Sequence, residues 1–363
     1  MNTNLETDAK RTWRPQRLQQ LTDSAFLRPW FSLGPRHRPH RLRRTVQLIF
    51  LVVCLGIGWR FIQFYDFCLN PGHTAVARPP GVEAFLPISA LMSARLWLQT
   101  GLIHPVHPAG LLIFAAILGI SFLFKRSFCS WVCPFGLLSE KLADAGRKIF
   151  RRNFAPPRWV DWPLRAVKYL LLAFFVDVIF LRLDLASLHA FLDSPFNQTA
   201  DVRLLQFFLH PSRTAIVVLA MLVALSVFVR HFWCRYLCPY GALTALVGLA
   251  SPMRIRRDLP SCIECGKCAQ ACPALLPVDK LVSVRSDECS LCLECVQACP
   301  VADTLGVSPV FSRRRIWPLL VAAVIGGIFL LTILFGKLSG HWESSVTPQQ
   351  MARQIQLVAP PTP

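Results

Sequence analysis

Residues 262–300 read CIECGKCAQACPALLPVDKLVSVRSDECSLCLECVQACP and contain one cysteine pattern twice, beginning at Cys262 and again at Cys289. Each copy has the form C-x2-C-x2-C-x3-C-P, so that three closely spaced cysteines are followed by a fourth after a wider gap. This spacing suits an iron–sulfur cube, because one loop reaches three of its corners and the fourth thiolate must come from elsewhere. The proline after each fourth cysteine turns the chain away and removes a backbone donor.

The two runs predict two [4Fe–4S] clusters, because this is the spacing of bacterial two-cluster ferredoxins, in which the fourth cysteine of each run binds the other cluster. The first cluster is predicted at Cys262, Cys265, Cys268 and Cys299, and the second at Cys289, Cys292, Cys295 and Cys272. Zinc is the alternative, since four-cysteine zinc sites also use C-x2-C pairs. The spacing favours iron, because a zinc ribbon needs two pairs and not a triple followed by C-x3-C-P.

The composition indicates a membrane protein, since 53% of the 363 residues are hydrophobic, 16% are charged and the mean hydropathy is +0.44. A spanning helix needs about 20 largely apolar residues. Such segments lie near 45–65, 108–125, 163–183, 213–230 and 316–336. We therefore predict an all-α polytopic membrane protein of about five transmembrane helices, with an inserted cytoplasmic ferredoxin module of the bacterial 2[4Fe–4S] type.

The distribution of basic residues predicts the orientation of these spans. Residues 1–44, 125–168 and 230–315 contain 10, 10 and 11 Lys/Arg, whereas 66–107, 182–213 and 337–363 contain 2, 3 and 2. The positive-inside rule assigns the first three segments to the cytoplasm. The amino terminus and the ferredoxin module are therefore predicted to be cytoplasmic, and the carboxyl terminus lies on the opposite side.

These features divide the chain into four predicted parts. They are a basic cytoplasmic arm at 1–44, a four-helix membrane domain at 45–250, the two-cluster ferredoxin module at 251–312, and a last transmembrane helix with a short outer tail at 313–363. Within the membrane domain, the apolar stretch 84–103 contains Pro87 and Arg95 and is predicted to be re-entrant or interfacial.

The net charge of +19 raises the question of which partner the protein binds. Basic chains often bind nucleic acid, but here the charges flank apolar spans and no nucleic-acid motif surrounds them, so that the expected partner is the lipid bilayer. Residues 259–303 instead contain three basic and six acidic residues. This acidic module is expected to receive a basic redox partner protein at the cytoplasmic face.

Two further cysteine pairs belong to a repeated motif, FCSWVCPFGLL at residues 128–138 and WCRYLCPYGAL at 233–243. Each motif follows a predicted span and is therefore expected at the cytoplasmic face of the membrane. The two spans before each motif, together with the loop between them, are predicted to form a parallel internal repeat. The proline disfavours helix at the second cysteine. If the pairs converge, they provide four thiols for a third metal or iron–sulfur site, namely Cys129, Cys133, Cys234 and Cys238. The alternative is that each pair is redox-active or helps to seat the ferredoxin module.

The cluster motifs, both C-x3-C-P-[FY]-G elements and the stretch RPPGVEAFLPISA at residues 78–90 resemble the membrane-bound polyferredoxins of the NapH type. The membrane part of NosR, the CcoG copper-handling proteins and YccM are similar. The resemblance covers about residues 45–340 and implies a multi-pass electron-transfer protein of the bacterial inner membrane, with a periplasmic carboxyl terminus. It also implies a quinol and a periplasmic or membrane reductase as partners. The sequence differs from these relatives at two points. It does not show the flavin-binding domain of the NosR type before its first span, and its carboxy-terminal tail is shorter than the additional domain of CcoG-like proteins.

Three other side chains are candidates for a function. His104 and His107 lie before the second span and suit a haem, copper or quinone ligand, although such prolyl-flanked pairs more often cap a helix or lie in a wet loop. Asp177 lies within the predicted third span, where a carboxylate marks a proton path or a bond to a neighbouring helix.

The predicted function is electron transfer between a cytoplasmic or quinone-pool donor and a membrane or periplasmic reductase pathway. The protein is expected to be an electron carrier or oxidoreductase subunit and not a stand-alone enzyme, since the hydrolase and phosphate-loop motifs are missing from the sequence. Its cofactors would be two [4Fe–4S] clusters, with a further metal or iron–sulfur site and a quinone as additional candidates. The alternatives are an accessory metal reductase or assembly factor, similar to CcoG, and a membrane redox sensor.

Overall fold

The computed structural model describes residues 38–70, 76–151, 154, 156–312 and 314–358. The protein is mostly helical. The first half of the membrane part contains α1 (Arg38–Leu69), a 3-10 helix (Pro80–Phe85), α2 (Pro87–Thr100), α3 (Pro108–Phe124), α4 (Ser127–Trp131) and α5 (Pro134–Phe150). The second half contains α6 (Arg158–Val176), a π-helical turn (Asp177–Arg182), α7 (Leu185–Leu192), α8 (Pro195–Gln198), α9 (Ala200–Leu209), α10 (Arg213–Phe228), a second π-helical turn (Trp233–Leu237) and α11 (Pro239–Leu249).

The ferredoxin module and the carboxy-terminal part follow α11. They contain β1 (Met253–Arg257), α12 (Lys267–Ala271), α13 (Glu294–Ala298), β2 (Leu305–Pro309), α14 (Pro318–Leu338) and α15 (Pro348–Val358). The strands pair antiparallel, from Met253 opposite Pro309 to Arg257 opposite Leu305. The all-α prediction therefore needs a correction, because this two-stranded sheet joins the two ends of the module. Its signal was the alternation in MRIRR, since Ile255 lies in the core opposite the buried Val307.

Within the described part of the chain, two helices are long and apolar enough to cross a membrane, Arg41–Leu69 within α1 and Pro318–Leu338, which is α14. A third span results if α9 and α10, which meet at an angle of 80°, are taken together. Each of the five predicted apolar segments is largely helical, and 163–183 is divided between α6 and the first π-helical turn. However, α3 has 17 residues, about 25 Å, which is shorter than a usual span. The number of five spans therefore stays a prediction.

The long helices α1 and α14 run in the same direction. Near their amino-terminal ends, Val46 of α1 and Val321 of α14 pack in the core that contains Ile255 of the ferredoxin module. Near the other end of α1, Phe64 packs against Met351 of α15. The ferredoxin module and α15 therefore lie at opposite ends of the helix bundle.

The predicted basic arm lies mostly outside the described residues, which begin at Arg38. Residues 38–44 belong to α1, so the first helix begins before the predicted boundary at residue 45. The stretch 84–103 contains the end of the 3-10 helix and all of α2, which Gly101 caps with φ of 73°. Arg95 is buried there and donates a hydrogen bond to the Ile179 carbonyl. The re-entrant or interfacial placement of this stretch stays a prediction.

Candidate iron–sulfur centres

The ferredoxin cysteines surround two cavities, and the fourth cysteine of each run lies beside the triple of the other run. One cavity is lined by Cys262, Cys265, Cys268 and Cys299, together with nearby loop residues. The other is lined by Cys272, Cys289, Cys292 and Cys295. This crossing arises because α12 and α13 pack together and each ends at a fourth cysteine. Both predicted groups of four thiols are therefore brought together.

The two ferredoxin loops have the same backbone shape, which explains their common spacing. Glu264 and Gly266 have φ of 53° and 70°, and the corresponding Leu291 and Leu293 have φ of 49° and 63°. Left-handed backbone is costly for leucine, so its use at both positions of the second loop indicates a constrained turn. Cys272 and Cys299 then have ψ of 116° and 120°, the extended form expected before proline.

The four cysteines of the membrane motifs converge on a single cavity, as the sequence hypothesis required. Cys129 lies in α4 and Cys133 immediately precedes α5, whereas Cys234 lies in the second π-helical turn and Cys238 precedes α11. All four line the same cavity. The two halves of the internal repeat therefore contribute equivalent pairs.

Each membrane motif contains a glycine beside the carbonyl oxygen of its first cysteine, and the geometry requires glycine at Gly136. A Cβ added to Gly136 would lie 2.0 Å from the Cys129 carbonyl oxygen. A Cβ added to Gly241 would lie 3.4 Å from the Cys234 carbonyl oxygen. The Gly241 N–H also donates to Cys238 Sγ at 3.2 Å. Thus the carbonyl group of the first cysteine in each motif approaches the helix that begins after the second cysteine of that motif.

The spacing of the sulfurs fits a cluster better than a single ion. Among the described residues, no three of the twelve motif cysteines place their sulfurs within 4.8 Å of one another. Tetrahedral zinc with Zn–S distances of about 2.3 Å would hold its sulfurs about 3.8 Å apart. Four iron ions and four sulfides enclose a larger volume, and four converging thiols are the donor set that they need.

Three of the four cysteines at the membrane face have a raised thiol pKa. Burial, and then the neighbouring Cys129 thiol, raise the pKa of Cys133, Cys234 and Cys238. Bringing four thiolates together in a buried site is unfavourable unless positive charge compensates them. A bound metal supplies such charge, and Arg126 supplies one protein cation.

Arg126 connects the membrane-face thiols to the ferredoxin module. Its Nη2 donates to the Cys234 carbonyl oxygen at 3.2 Å, and its Nη1 donates to Glu288 Oε2 at 2.9 Å. Burial would lower the pKa of this guanidinium, but the Cys129 thiol and the Glu288 carboxylate outweigh burial and raise it. Arg126 therefore remains charged beside both sets of ligands.

Glu288, which directly precedes Cys289, is a buried carboxylate that the sequence reasoning missed. Besides Arg126, its partners are Lys168 and Arg165, both on α6. Burial would raise the pKa of Glu288, but Arg126 and Lys168 together lower it. The available signal was an acidic pair directly before a cysteine ligand, in a chain with basic residues at 125–168.

A second set of contacts seats the loop of the second cysteine group on the membrane part. Trp131 Nε1 donates to the Leu291 carbonyl oxygen at 3.1 Å, and Ser130 Oγ donates to the Ser290 carbonyl oxygen at 2.6 Å. A cavity of about 60 Å³ beside this contact is lined by Cys129, Cys234 and Cys292, among others. The second cysteine group is therefore close to the membrane-face thiols.

The acidic residues of the ferredoxin module serve mainly to bind it to its own chain. Asp287 accepts a hydrogen bond from Tyr169, Glu288 binds Arg126, and Glu294 accepts one from Arg43. Asp303 also lies 4.0 Å from Arg315, so that four of the six acidic residues at 259–303 are engaged within the molecule. The expectation that they form a docking face for a basic partner is correspondingly weaker.

The first cysteine group lies at the outer surface of the module. Cys265 is exposed, as are the neighbouring Ile263 and Glu264. By contrast, Cys289 and Cys295 of the second group are buried. The first group is therefore the part of the module that a soluble partner can approach.

The membrane-face thiols also border a large apolar cavity of about 760 Å³. It extends to Pro79, Pro80 and Trp342, near the end of the bundle that is remote from the ferredoxin module. Of the described residues that line it, Lys337 alone carries a charge. The Tyr240 hydroxyl at this cavity forms no hydrogen bond with another described residue.

Comparison with known proteins shows which family the chain belongs to. A family described as "4Fe-4S binding domain" matches residues 106–153 and 214–258, and one described as "4Fe-4S dicluster domain" matches 254–300. YccM of Escherichia coli (strain K12), whose name assigns it to electron transport, is 42% identical over 328 residues, which are 88% of this chain and 90% of YccM. The chain belongs to the family of membrane-associated, ferredoxin-type electron transport proteins.

Other members of the family are longer or more distant. Protein NirI of Paracoccus denitrificans is 34% identical over 281 residues, which are 75% of this chain and 36% of NirI. The methylamine utilization ferredoxin-type protein MauN of Methylorubrum extorquens is 32% identical over 254 residues, covering 65% of this chain and 75% of MauN. No solved structure matches the chain. The first family match covers both membrane motifs, which are therefore part of what the family shares.

The remaining candidate residues lie apart from the thiols. His107 is buried and contacts Glu83 Oε1 and the Asn197 carbonyl oxygen at 3.3 and 2.8 Å, so it does not lie in a wet loop. Asp177 forms a salt bridge with Arg182, whose side chain is 73% exposed. This salt bridge explains the Asp177 charge without a proton path, and the path stays an untested prediction.

Proposed function

We propose that this protein is a membrane-bound iron–sulfur electron carrier with three [4Fe–4S] clusters. Two would be held by the ferredoxin groups that begin at Cys262 and Cys289, and the third by Cys129, Cys133, Cys234 and Cys238. The observation that carries the proposal is the order of the thiol groups, from the exposed Cys265, through the buried second group, to the membrane-face cavity. When bound, such clusters accept and donate single electrons.

The chain would contribute alignment and electrostatics to this transfer. Cys265 would give a redox partner access to the first group at the cytoplasmic face. Trp131 and Ser130 fix the loop of the second group against α4, and Arg126 holds the third group next to Glu288. These contacts keep the thiol groups at fixed separations, on which the electron-transfer rate depends.

We propose that the apolar cavity of about 760 Å³ binds a quinone. Its lining suits an isoprenoid tail, and the Tyr240 hydroxyl beside the thiols can donate to a quinone carbonyl oxygen. Oxidation of a quinol releases two electrons and two protons, so the electrons would enter or leave the chain at the membrane-face site. The protein would thereby connect the quinone pool with a cytoplasmic partner or with a membrane or periplasmic reductase.

The proposed setting is the bacterial inner membrane. The ferredoxin module and the amino terminus would be cytoplasmic and the carboxyl terminus periplasmic, with about five spans. The support is the charge distribution along the chain and the parallel direction of α1 and α14.

Iron and acid-labile sulfide per chain test the number of clusters, measured on anaerobically purified protein. Three clusters predict about twelve irons, and the double substitution of Cys133→Ser and Cys238→Ser should remove about four. Cys54→Ser is the matched control, because Cys54 lines the same cavity but belongs to no motif. A wild-type value of eight irons, unchanged in the double variant, would remove the third cluster from the proposal.

Anaerobic addition of a short-chain quinol tests the quinone site. Reduction should appear as bleaching of cluster absorbance, and Tyr240→Phe should slow it about tenfold, which corresponds to the loss of roughly one hydrogen bond. Tyr65→Phe is the control, since Tyr65 lies in α1 and does not line this cavity. Equal reduction rates in both variants would argue against a quinone at Tyr240.

A further inference from the structure

A second group of ligating side chains lies at the other end of α3 from the membrane-face thiols. α3 begins at Pro108 and ends at Phe124, two residues before Arg126, so its 17 residues separate the two ends by about 25 Å. Close to its first residue, the side chains of His104, His189 and Asp193 place one potential ligand atom each within 4.8 Å of one another. None of these residues belongs to a cysteine motif.

Two of the three side chains come from one helix face. His189 lies in the last turn of α7, and Asp193 follows four residues later at its carboxyl end. The Asp193 N–H donates to the His189 carbonyl oxygen at 2.9 Å, which continues the helical geometry. Residues four apart on a helix project from the same face. The pair therefore forms a two-ligand platform of the kind that zinc sites use on helices.

The third side chain comes from a distant segment and is fixed by burial. His104 lies between α2 and α3 and is 5% exposed, and its Nε2 is 3.3 Å from Asp193 Oδ1. The His104 and His189 rings are 6.2 Å apart between centroids, at an interplanar angle of 57°. Two imidazoles thus approach one carboxylate from different directions.

We propose that His104, His189 and Asp193 bind a divalent transition-metal ion of the zinc type. Imidazole and carboxylate ligands together suit Zn²⁺, and three protein ligands leave a position for water or an exogenous ligand. The Asp193 side chain is 63% exposed, so water reaches the open position. The site contains nitrogen and oxygen donors only, which separates it chemically from the thiol centres.

A simpler reading is that His104 and Asp193 form only a hydrogen-bonded pair. That pair accounts for His104, whose Nδ1 accepts a long hydrogen bond of 3.4 Å from the Val106 N–H and whose Nε2 faces the carboxylate. It does not account for the third side chain, because a potential ligand atom of His189 also lies within 4.8 Å of those of His104 and Asp193. On metal binding, the His104 proton moves from Nε2 to Nδ1, so that Nε2 binds the ion and the weak hydrogen bond from the Val106 N–H is lost.

The test uses full-length, cluster-loaded protein in detergent under anaerobic conditions, so that the thiols are already occupied. Zn²⁺ is titrated in competition with a chromophoric chelator, and the bound ion is examined by X-ray absorption at the zinc edge. One ion per chain is expected, with nitrogen and oxygen neighbours at about 2.0–2.1 Å and without sulfur. Zinc bound through sulfur would overturn the proposal.

Variants decide whether these residues bind the ion. His189→Ala and Asp193→Asn should each weaken Zn²⁺ binding more than tenfold, while iron content stays at the wild-type value. His210→Ala is the matched control, because His210 is exposed at the end of the neighbouring α9 and does not join the group. Unchanged affinity in both ligand variants would overturn the proposal, whatever the number of iron–sulfur clusters. The site is therefore tested independently of the proposed electron transfer.

Discussion

At the scale of single residues, the main finding is that basic side chains near the membrane serve two purposes. Arg126 and Lys168 belong to the basic segment from which the orientation was predicted, yet both are buried and bind Glu288. A buried pair of this kind adds little net stability, but removal of one partner leaves an uncompensated charge. The pairing of Glu288 with Lys168 fixes the position of the ferredoxin module against α6.

Arg126→Gln should lower the midpoint potential of the membrane-face centre. Loss of a positive charge beside the thiolates disfavours the reduced state. A loss of about 1.4 kcal/mol of stabilisation would lower the midpoint potential by about 60 mV for a one-electron couple. Redox titration followed by electron paramagnetic resonance measures the shift. Arg126→Lys should restore most of it because it keeps the charge.

The control for this experiment is Arg147→Gln, since Arg147 is exposed on α5 and forms its salt bridge with the nearby Asp144. Glu288 keeps Lys168 and Arg165 as partners in the Arg126 variants, so the ferredoxin module remains attached. A potential that is equal in wild type and Arg126→Gln would show that the guanidinium does not act on the centre.

At the scale of elements, the same construction occurs in both membrane motifs. A short helical turn contains the first cysteine, the second cysteine is extended, and proline begins the next helix. The glycine two residues after this proline lets the first cysteine's carbonyl approach the new helix. The two glycines differ in how well they would tolerate a side chain, because the carbonyl contact is closer at Gly136 than at Gly241.

Gly136→Ala should disrupt the membrane-face centre more strongly than Gly241→Ala. The added methyl group at Gly136 would meet a backbone oxygen at 2.0 Å, and overpacking of this kind costs about 1–3 kcal/mol. The nearest atom at Gly241 is the end of the Arg126 side chain at 3.3 Å, which can move. Iron per chain and thermal unfolding measure both effects.

Gly119→Ala in α3 is the control for these substitutions, because no atom lies within 4 Å of its added Cβ. This variant should match the wild type in iron content and stability. Full iron content in Gly136→Ala would contradict the close approach of the Cys129 carbonyl.

At the scale of the whole molecule, the thiol groups differ in their access to solvent. The group with Cys265 faces outward, whereas the group with Cys289 and Cys295 lies against the membrane part. This arrangement separates a partner-accessible end from an end that is joined to the membrane-face cavity. The long helices α1 and α14 share one direction and place α15 at the remote end.

An iron chelator should therefore remove the cluster at Cys265 several-fold faster than the cluster at Cys289. Iron release followed over time should show a fast and a slow phase, since solvent exposure controls access to the metal. Cys265→Ser should abolish the fast phase only. A single phase in the wild type would contradict the difference in exposure.

A topology experiment tests the direction of α1 and α14. Alkaline phosphatase fused after residue 358 should be active, because the carboxyl terminus is predicted to be periplasmic, where this reporter folds. Fusion at residue 312, after the ferredoxin module, should be inactive. Activity of both fusions, or of neither, would contradict opposite locations for the two ends of α14.

The sequence by itself determined the local features of this protein. Cysteine spacing predicted both ferredoxin groups, since loop length limits which thiols meet, and apolar runs predicted the helices. Only the tertiary structure decided that Cys129 and Cys234 converge and that Arg126 meets Glu288, which is 162 residues away. It also decided that His104 meets His189 and Asp193. The physical reason is that contacts between distant segments depend on how helices pack, and one sequence pattern is compatible with many packings.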